Sequence, residues 1–179
     1  FRYRIALPAP TLYGQFKNLK NIDGILRGLI RMGFDDVFDV ARGADVVTRA
    51  VSERLKRPDA PHPLISSACP AVVRLIQVRF PELLDNIVDV RSPMEAAAAM
   101  ARREFCERNG VDPADVGCFF ITPCAAKATA IRSPIGHGKS AADGAISILE
   151  VYGLLSSQLR REKDAAAKEK QTDLAARHG

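Results

Sequence analysis

This sequence predicts an α/β fold, a domain of parallel strands joined and flanked by helices, and two observations carry that prediction. Short β-type runs alternate along the chain with segments whose apolar residues recur every three or four positions. Those runs are broken by Gly, Pro or charge, far short of the roughly 20 apolar residues that a bilayer requires, so no membrane span is expected.

Tyr3 to Leu7 reads as the first strand, stopped by Pro8 and Pro10. Ile22, Ile25, Leu26, Leu29 and Ile30 form a helical stripe, which predicts a helix over about 21–32 with Gly33 as its stop. Val37 to Val40 is a short strand, and after Gly43 the positions Val47, Ala50, Val51 and Leu55 make a second helical face. Pro58, Pro61 and Pro63 mark a loop. Leu64 to Ala68 reads as a buried strand, followed by a helix with Val72, Val73, Ile76 and Phe80 on its apolar face and Pro81 at its end.

Ser92-Pro93 has the chemistry of an N-cap followed by proline at the first helical position, and Met94, Ala97, Ala98, Ala101 and Phe105 carry that helix to Asn109-Gly110. Cys118 to Thr122 is a strand and Cys124 opens a short helix. Ser133 to Ala142 is a loop, Ala145 to Ile148 a strand, and Glu150 to about Glu162 a helix. Residues 1–159 are read as one incomplete two-lobed domain, with a first lobe to about 110 and the start of a second over 111–159. The stretch 160–179 is a polar tail, helical or disordered. Phe1 in place of methionine and the polar run-out are read as a chain cut from a longer one.

A 47% hydrophobic content suits a folded domain with a buried core. The net charge is +5, but the basic residues are scattered among 21 acids. Aromatics make up 6% of the chain with no tryptophan, so platforms for stacking bases are lacking and nucleic acid is not an expected partner. Four cysteines at 69, 106, 118 and 124 contain no Cys-x-x-Cys, which argues against both a disulfide scaffold and a self-contained zinc site.

Two of the cysteines share a local layout. In Ile65-Ser66-Ser67-Ala68-Cys69-Pro70-Ala71 and in Ile121-Thr122-Pro123-Cys124-Ala125-Ala126, a strand ends and a cysteine starts the next helix. In a parallel sheet the carboxyl ends of strands share one rim, where ligands of open α/β folds bind. The positive end of a helix stabilises a thiolate, the form that binds metal or attacks an electrophile. Cys106, beside a helical stripe, and Cys118, at the start of a β-run, are accounted for by packing.

With those cysteines placed, Ser66-Ser67-Ala68-Cys69-Pro70 and Thr122-Pro123-Cys124-Ala125-Ala126-Lys127 resemble the first two signature motifs of the iron-only hydrogenase large subunit. Gly33-Phe34-Asp35-Asp36-Val37-Phe38-Asp39, Gly43-Ala44-Asp45 and Phe80-Pro81-Glu82-Leu83-Leu84 are similar to family segments in the same order, so the resemblance covers about residues 3 to 160. It implies a two-lobed α/β domain, its second lobe incomplete here, around a cubane 4Fe-4S cluster bridged to a two-iron unit with carbon monoxide and cyanide ligands. It further implies Cys69 and Cys124 as cubane ligands and Lys127 as the catalytic lysine at a cyanide of the two-iron unit. Ala9, Pro10 and Thr11 resemble the loop over that unit and equally suit an ordinary turn. Ala68, Thr122 and Pro123 complete the expected cofactor surroundings.

The departures from the family pattern matter as much. Turnover members carry a proton-relaying cysteine where this chain has Ala68, which cannot carry a proton. Ala50 and Val51 are apolar where acids of the same path are usual, and Thr122 replaces a common methionine. The two remaining cubane ligands come in the family from a later Cys-x-x-x-Cys, which this chain ends before reaching, so by itself it is expected to be half a site. The function implied is reversible hydrogen oxidation at low turnover, or hydrogen sensing. A non-enzymatic iron-sulfur carrier or sensor module is the alternative, and a metal-free cysteine enzyme using Cys124 beside Lys127 a further one.

Implied partners are ferredoxin-type iron-sulfur domains or other electron carriers, and signalling domains on the same chain. The expected compartment is the reducing cytoplasm. Gly138-Lys139-Ser140 lacks the leading glycine of a phosphate-binding loop, since position 133 is Ser133, and reads as a polar loop. His62 and His137 lie in loops and are assigned no role.

Overall fold

Ile5 to Pro8 and almost all of Val116–Thr122 are buried, because both faces of these strands are covered. The computed structural model describes residues 1–16, 22–136 and 138–161. In chain order the elements are β1 (Tyr3–Pro8), α1 (Pro10–Tyr13), α2 (Asp23–Arg31), β2 (Asp36–Val37), α3 (Val40–Leu55), α4 (Pro70–Arg79), α5 (Pro93–Asn109), β3 (Val116–Thr122), α6 (Ala125–Arg132), β4 (Gly144–Ser147) and α7 (148–161), with short 3-10 turns at Pro81–Asn86 and Pro113–Asp115.

The four strands form one parallel sheet in the order β2-β1-β3-β4. β1 runs in register with β3 from Tyr3 opposite Val116 to Pro8 opposite Ile121, and β4 pairs with the far edge of β3 up to Ser147 opposite Thr122. Parallel pairing puts the carboxyl ends of all four strands on one rim, as the alternation of strands and helices predicts.

Side chains alternate between two cores. Ile5, Leu7, Val116, Cys118 and Phe120 face Val40 of α3 and Met94, Ala97, Ala98, Ala101 and Phe105 of α5. Ala6 and Ile121 face Ile25 and Leu29 of α2 and Ile148, Val151 and Leu155 of α7 on the other side. The result is a helix-sheet-helix sandwich.

α3 and α5 cross closely at Gly43, where an added Cβ would stand 2.5 Å from the Pro93 carbonyl oxygen and 2.9 Å from the Ala97 Cβ. α5 begins as expected, with Ser92 accepting the Glu95 N–H and Pro93 following it, and it ends at Gly110, whose φ of 63° is the left-handed turn that glycine supplies.

Several expectations need correction. Leu64–Ala68 is not a strand of the sheet and is only half-buried; it makes a single parallel bridge, Ile65 to Ile87. The Ala68 N–H bonds to Ser66 Oγ and the Ser67 hydroxyl donates to the Val90 carbonyl, so local bonds replace a ladder. Of the predicted α4 face only Ile76 is buried, while Val72 and Phe80 are exposed. The second strand stops at Val37, because Asp39, four residues ahead of Gly43, caps α3 by accepting the Ala41 N–H.

On α3, Val40 and Gly43 are the buried residues, and Leu55 is exposed. β1 and β3, which lie on either side of residue 110, are neighbours in the sheet. Most of the expected tail, 162–179, and His137 lie outside the described residues.

Candidate functional site

Cys124 sits just beyond the rim, at the N-cap of α6, with φ −96° and ψ 106°. Its N–H donates to the Oγ1 of Thr122, a buried polar residue at the end of β3, and Pro123 between them is exposed. Cys69 holds the N-cap of α4 in nearly the same conformation, φ −106° and ψ 106°, with Pro70 as the first helical residue. Neither side chain caps its helix, so each sulfur belongs to the positive end of a helix without being consumed by it. Cys69 is exposed and Cys124 partly buried.

Lys127 joins the two. It lies in the first turn of α6, and its Nζ donates to the Ala68 carbonyl oxygen at 3.3 Å, next to Cys69 in sequence. The ammonium also stands 5.8 Å from the centroid of the Phe120 ring. Burial holds its pKa below the usual lysine value, and the negative charges that Cys124, Cys69 and Glu95 can carry pull it partly back up. One cation thus shares its surroundings with both candidate ligands.

Ala9 is buried and donates its N–H to the Ile121 carbonyl, which sets it on the same rim immediately beside Thr122. Pro10 and Thr11 are exposed and open α1, so this stretch is a helical turn rather than an irregular loop. The structure therefore brings together Ala68, Cys69, Cys124 and Lys127, with Ala9, Thr122 and Pro123 along the adjoining sheet end.

Cys118 is fully buried, its S–H directed at the Ala98 carbonyl, and burial pushes its pKa up to about 11, which makes it a poor thiolate. Cys106 is partly buried against the same core. A cubane takes four thiolates. Among the described residues no three Cys, His, Asp or Glu side chains gather into a metal-binding group. Two thiols at helix N-termini, flanked by a cation, fit half of a cubane's ligand set. Among the described residues the hydrogen bonds of Cys124 are made by its main chain.

A cavity of about 260 Å³ backs onto the Cys69 loop, lined among others by Ser67, Pro70, Ile87, Glu95, Ala130 and Ser140. Gly138, Lys139 and Ser140 line it too, but strand β4 rather than a helix follows them, so they do not build a phosphate-binding loop. Glu95 is the residue the sequence did not single out. Ser92-x-x-Glu95 is the pattern of a capping box, yet Glu95 bonds Ser140 Oγ and the Ala141 N–H, both at 2.6 Å, far along the chain.

The family described as iron only hydrogenase large subunit, C-terminal domain, matches residues 2–177. Iron hydrogenase 1 of Clostridium pasteurianum is 31% identical over 106 residues, which are 58% of this chain and 18% of that protein. The periplasmic Fe hydrogenase large subunit of Nitratidesulfovibrio vulgaris is 30% identical over 135 residues, 69% of this chain and 32% of that protein. A protein of Caenorhabditis elegans named as a probable cytosolic Fe-S cluster assembly factor, oxy-4, is 31% identical over 96 residues, 52% of this chain and 21% of that one.

The solved structure of the FeFe-hydrogenase HydA1 from Chlamydomonas reinhardtii shares the fold with a TM-score of 0.68 at 24% identity, over 88% of this chain and 43% of that chain. The chain thus matches less than half the length of these relatives. A family match over residues 2–177 is nearly the whole sequence, and this chain belongs to the iron-only hydrogenase large subunit family, in its C-terminal domain.

Proposed function

We propose that this chain supplies one half of a cubane cluster site, with Cys69 and Cys124 as two of the four thiolate ligands and Lys127 as the cation that faces the bound cofactor. The observation that supports this most is the bond from Lys127 Nζ to the Ala68 carbonyl, which brings the two cysteine-bearing helix starts to one ammonium. When bound, a 4Fe-4S cluster with its two-iron unit, carrying carbon monoxide and cyanide, would supply electron transfer and reversible hydrogen oxidation. The helix N-termini favour the thiolate forms of both cysteines. Lys127 offers a donor to an anionic ligand, and Ala9, Thr122 and Pro123 border the same space. Pro10 and Thr11 extend that border through the turn of α1.

Ala68 gives the position before Cys69 no proton to exchange, which supports slow turnover or hydrogen sensing over fast catalysis. The same alanine, with the likeness to oxy-4, supports a second reading as an iron-sulfur carrier without a two-iron unit. Electron carriers of ferredoxin type are the proposed partners under the first reading, with signalling domains on the same chain if hydrogen is a signal. Free thiols suit a reducing compartment, the cytoplasm.

The test is anaerobic incubation of the protein with ferric iron, sulfide and excess 2-mercaptoethanol, a small thiol that reduces half of the iron, leaving as its disulfide, and completes the coordination. Bound iron and acid-labile sulfide are then measured. The expected result is a reducible cluster that is lost in Cys69→Ser and in Cys124→Ser and kept in Cys106→Ser. Equal iron in wild type and in both ligand variants would overturn the proposal.

A further inference from the structure

A cubane takes four thiolates, and the rim of this sheet presents half of them. The sequence holds four cysteines. Cys118 is fully buried and Cys106, on α5, packs against the same core, so Cys69 and Cys124 are the pair left at the carboxyl rim. Cys69 is exposed, where a second molecule can reach its sulfur. A twofold axis doubles such a pair to four. A cubane divides into two equivalent halves, and twofold pairs are the commonest assembly of identical chains.

The helix that starts at Cys69 offers the surface for this pairing. On α4, Val73, Ile76 and Gln77 turn inward, Ile76 being buried and the other two lining the cavity. Val72, Leu75 and Val78, spaced three apart, lie on the opposite side and are 40%, 51% and 67% exposed. Val72 is less than one turn from Cys69, so a molecule that closes over the Cys69 sulfur lies beside this stripe. Three aliphatic side chains fall well short of the roughly 800 Å² per partner that a stable interface buries. The stripe therefore favours pairing without enforcing it, and the metal has to supply the rest.

We propose that a second copy of this chain supplies the remaining two thiolates, so that one cubane lies on a twofold axis, held by Cys69 and Cys124 of each copy, and the two stripes of Val72, Leu75 and Val78 pack together beside it. This rests on the cluster-site reading and names the partner that completes it. A parallel pairing of the two α4 helices brings both Cys69 ends together. The N-termini of two α4 and two α6 helices then converge on one cluster, which its four thiolates make anionic, and each copy contributes its own Lys127. Assembly is a ligand exchange. Each cysteine thiol binds an iron in place of a 2-mercaptoethanol thiolate, which leaves with the cysteine's proton, and neither iron nor sulfide changes oxidation state.

The experiment loads the cluster in excess 2-mercaptoethanol, removes the free thiol by anaerobic gel filtration, and measures mass by light scattering together with iron per chain. The metal-free protein is expected at the 19.5 kDa of one chain and the loaded protein at double that mass, with about two irons per chain. Adding 2-mercaptoethanol back should split the pair into single chains. Leu75→Glu puts a charge into the stripe and is expected to split at a thiol concentration at least about tenfold lower. Leu149→Glu, at an exposed position of α7, should split as wild type does. A loaded protein that keeps the mass of one chain once the free thiol is gone, whether it retains or sheds its iron, overturns the proposal and leaves the cluster reading standing. A doubled mass already present without metal and unchanged by loading, or a Leu75→Glu pair as resistant to thiol as wild type, overturns it too. Equal iron in wild type, Cys69→Ser and Cys124→Ser would overturn the cluster reading itself, and this inference with it.

Discussion

Lys127 Nζ lies 3.3 Å from the main-chain oxygen of Ala68, so the helix that starts at Cys124 holds the loop that ends at Cys69. The ammonium is partly buried, and burial lowers its pKa from the ordinary 10.5. A lysine whose folded pKa is lowered contributes its stability above the unfolded value, and that stability is lost as pH falls through the folded value. At neutral pH the charged side chain therefore works against folding. The thermal midpoint of Lys127→Met relative to wild type, both metal-free, is expected to fall as pH rises from 7 towards 10.5. Midpoints of both proteins across pH 7 to about 10 measure this; a difference that rises with pH contradicts it.

Gly43 predicts a second outcome. Its missing Cβ would meet the Pro93 oxygen at 2.5 Å and the Ala97 nitrogen at 2.7 Å, both main-chain atoms that cannot swing aside. Gly43→Ala gains about 1 kcal/mol of helix propensity but forces α3 from α5, which costs about 2 to 3 kcal/mol. The expected net loss is about 1 to 2 kcal/mol in urea unfolding. A more stable alanine variant would mean that the crossing is looser than the contact implies.

The order of strands and helices was legible because the rule that governs it is local. Ile5, Leu7, Phe120 and Ile121 announce buried strands, and Ser92-Pro93 with Gly110 announces both ends of α5. Cys124 and its helix followed from the same signals. The strand predicted at Leu64–Ala68 failed because a short extended segment joins a sheet only where a neighbour completes the ladder, and Ile65 finds just Ile87. The α4 face failed because that helix is apolar on several sides, and periodicity cannot rank them. Glu95 was illegible for another reason: its partners Ser140 and Ala141 are 45 and 46 residues away, and no local pattern encodes that meeting.

Ala68 supplies a prediction about rate. It is half-buried, next to Cys69, and its carbonyl already binds Lys127. A thiol there could exchange protons where a methyl group cannot, and such transfer contributes about a hundredfold or more. In protein carrying a completed cluster site, Ala68→Cys is expected to raise hydrogen evolution, followed by gas chromatography, at least about tenfold. No rise at full cluster loading would show that proton relay is not the limiting defect and would favour the carrier reading.

Arg102 carries the last prediction, which concerns how the 133–142 loop stays in place. Its Nε donates to the Val116 carbonyl at 3.1 Å and its Nη1 to the Ala141 carbonyl at 2.9 Å, while Nη2 pairs with the Asp143 carboxylate. Asp143 also accepts the Cys118 N–H at 2.8 Å and donates its own N–H to the Cys118 carbonyl. One guanidinium thus ties α5 to the start of β3 and to the strand-ward end of the loop. The two side chains retain 22% and 12% exposure, so the pair is screened in part but not dissolved in water.

Arg102→Met takes the cation from the Asp143 carboxylate and one donor from each of the Val116 and Ala141 carbonyls, and is expected to cost about 2 to 3 kcal/mol in urea unfolding. Asp143→Asn should cost less, and the double variant should fall short of the sum by about 1 kcal/mol or more. Full additivity would mean that the two side chains act separately. Because Ala141 also donates to Glu95, Arg102→Met should further speed amide exchange at Ala141 while leaving Ala128, inside α6 and bonded to the Cys124 carbonyl, protected as in wild type.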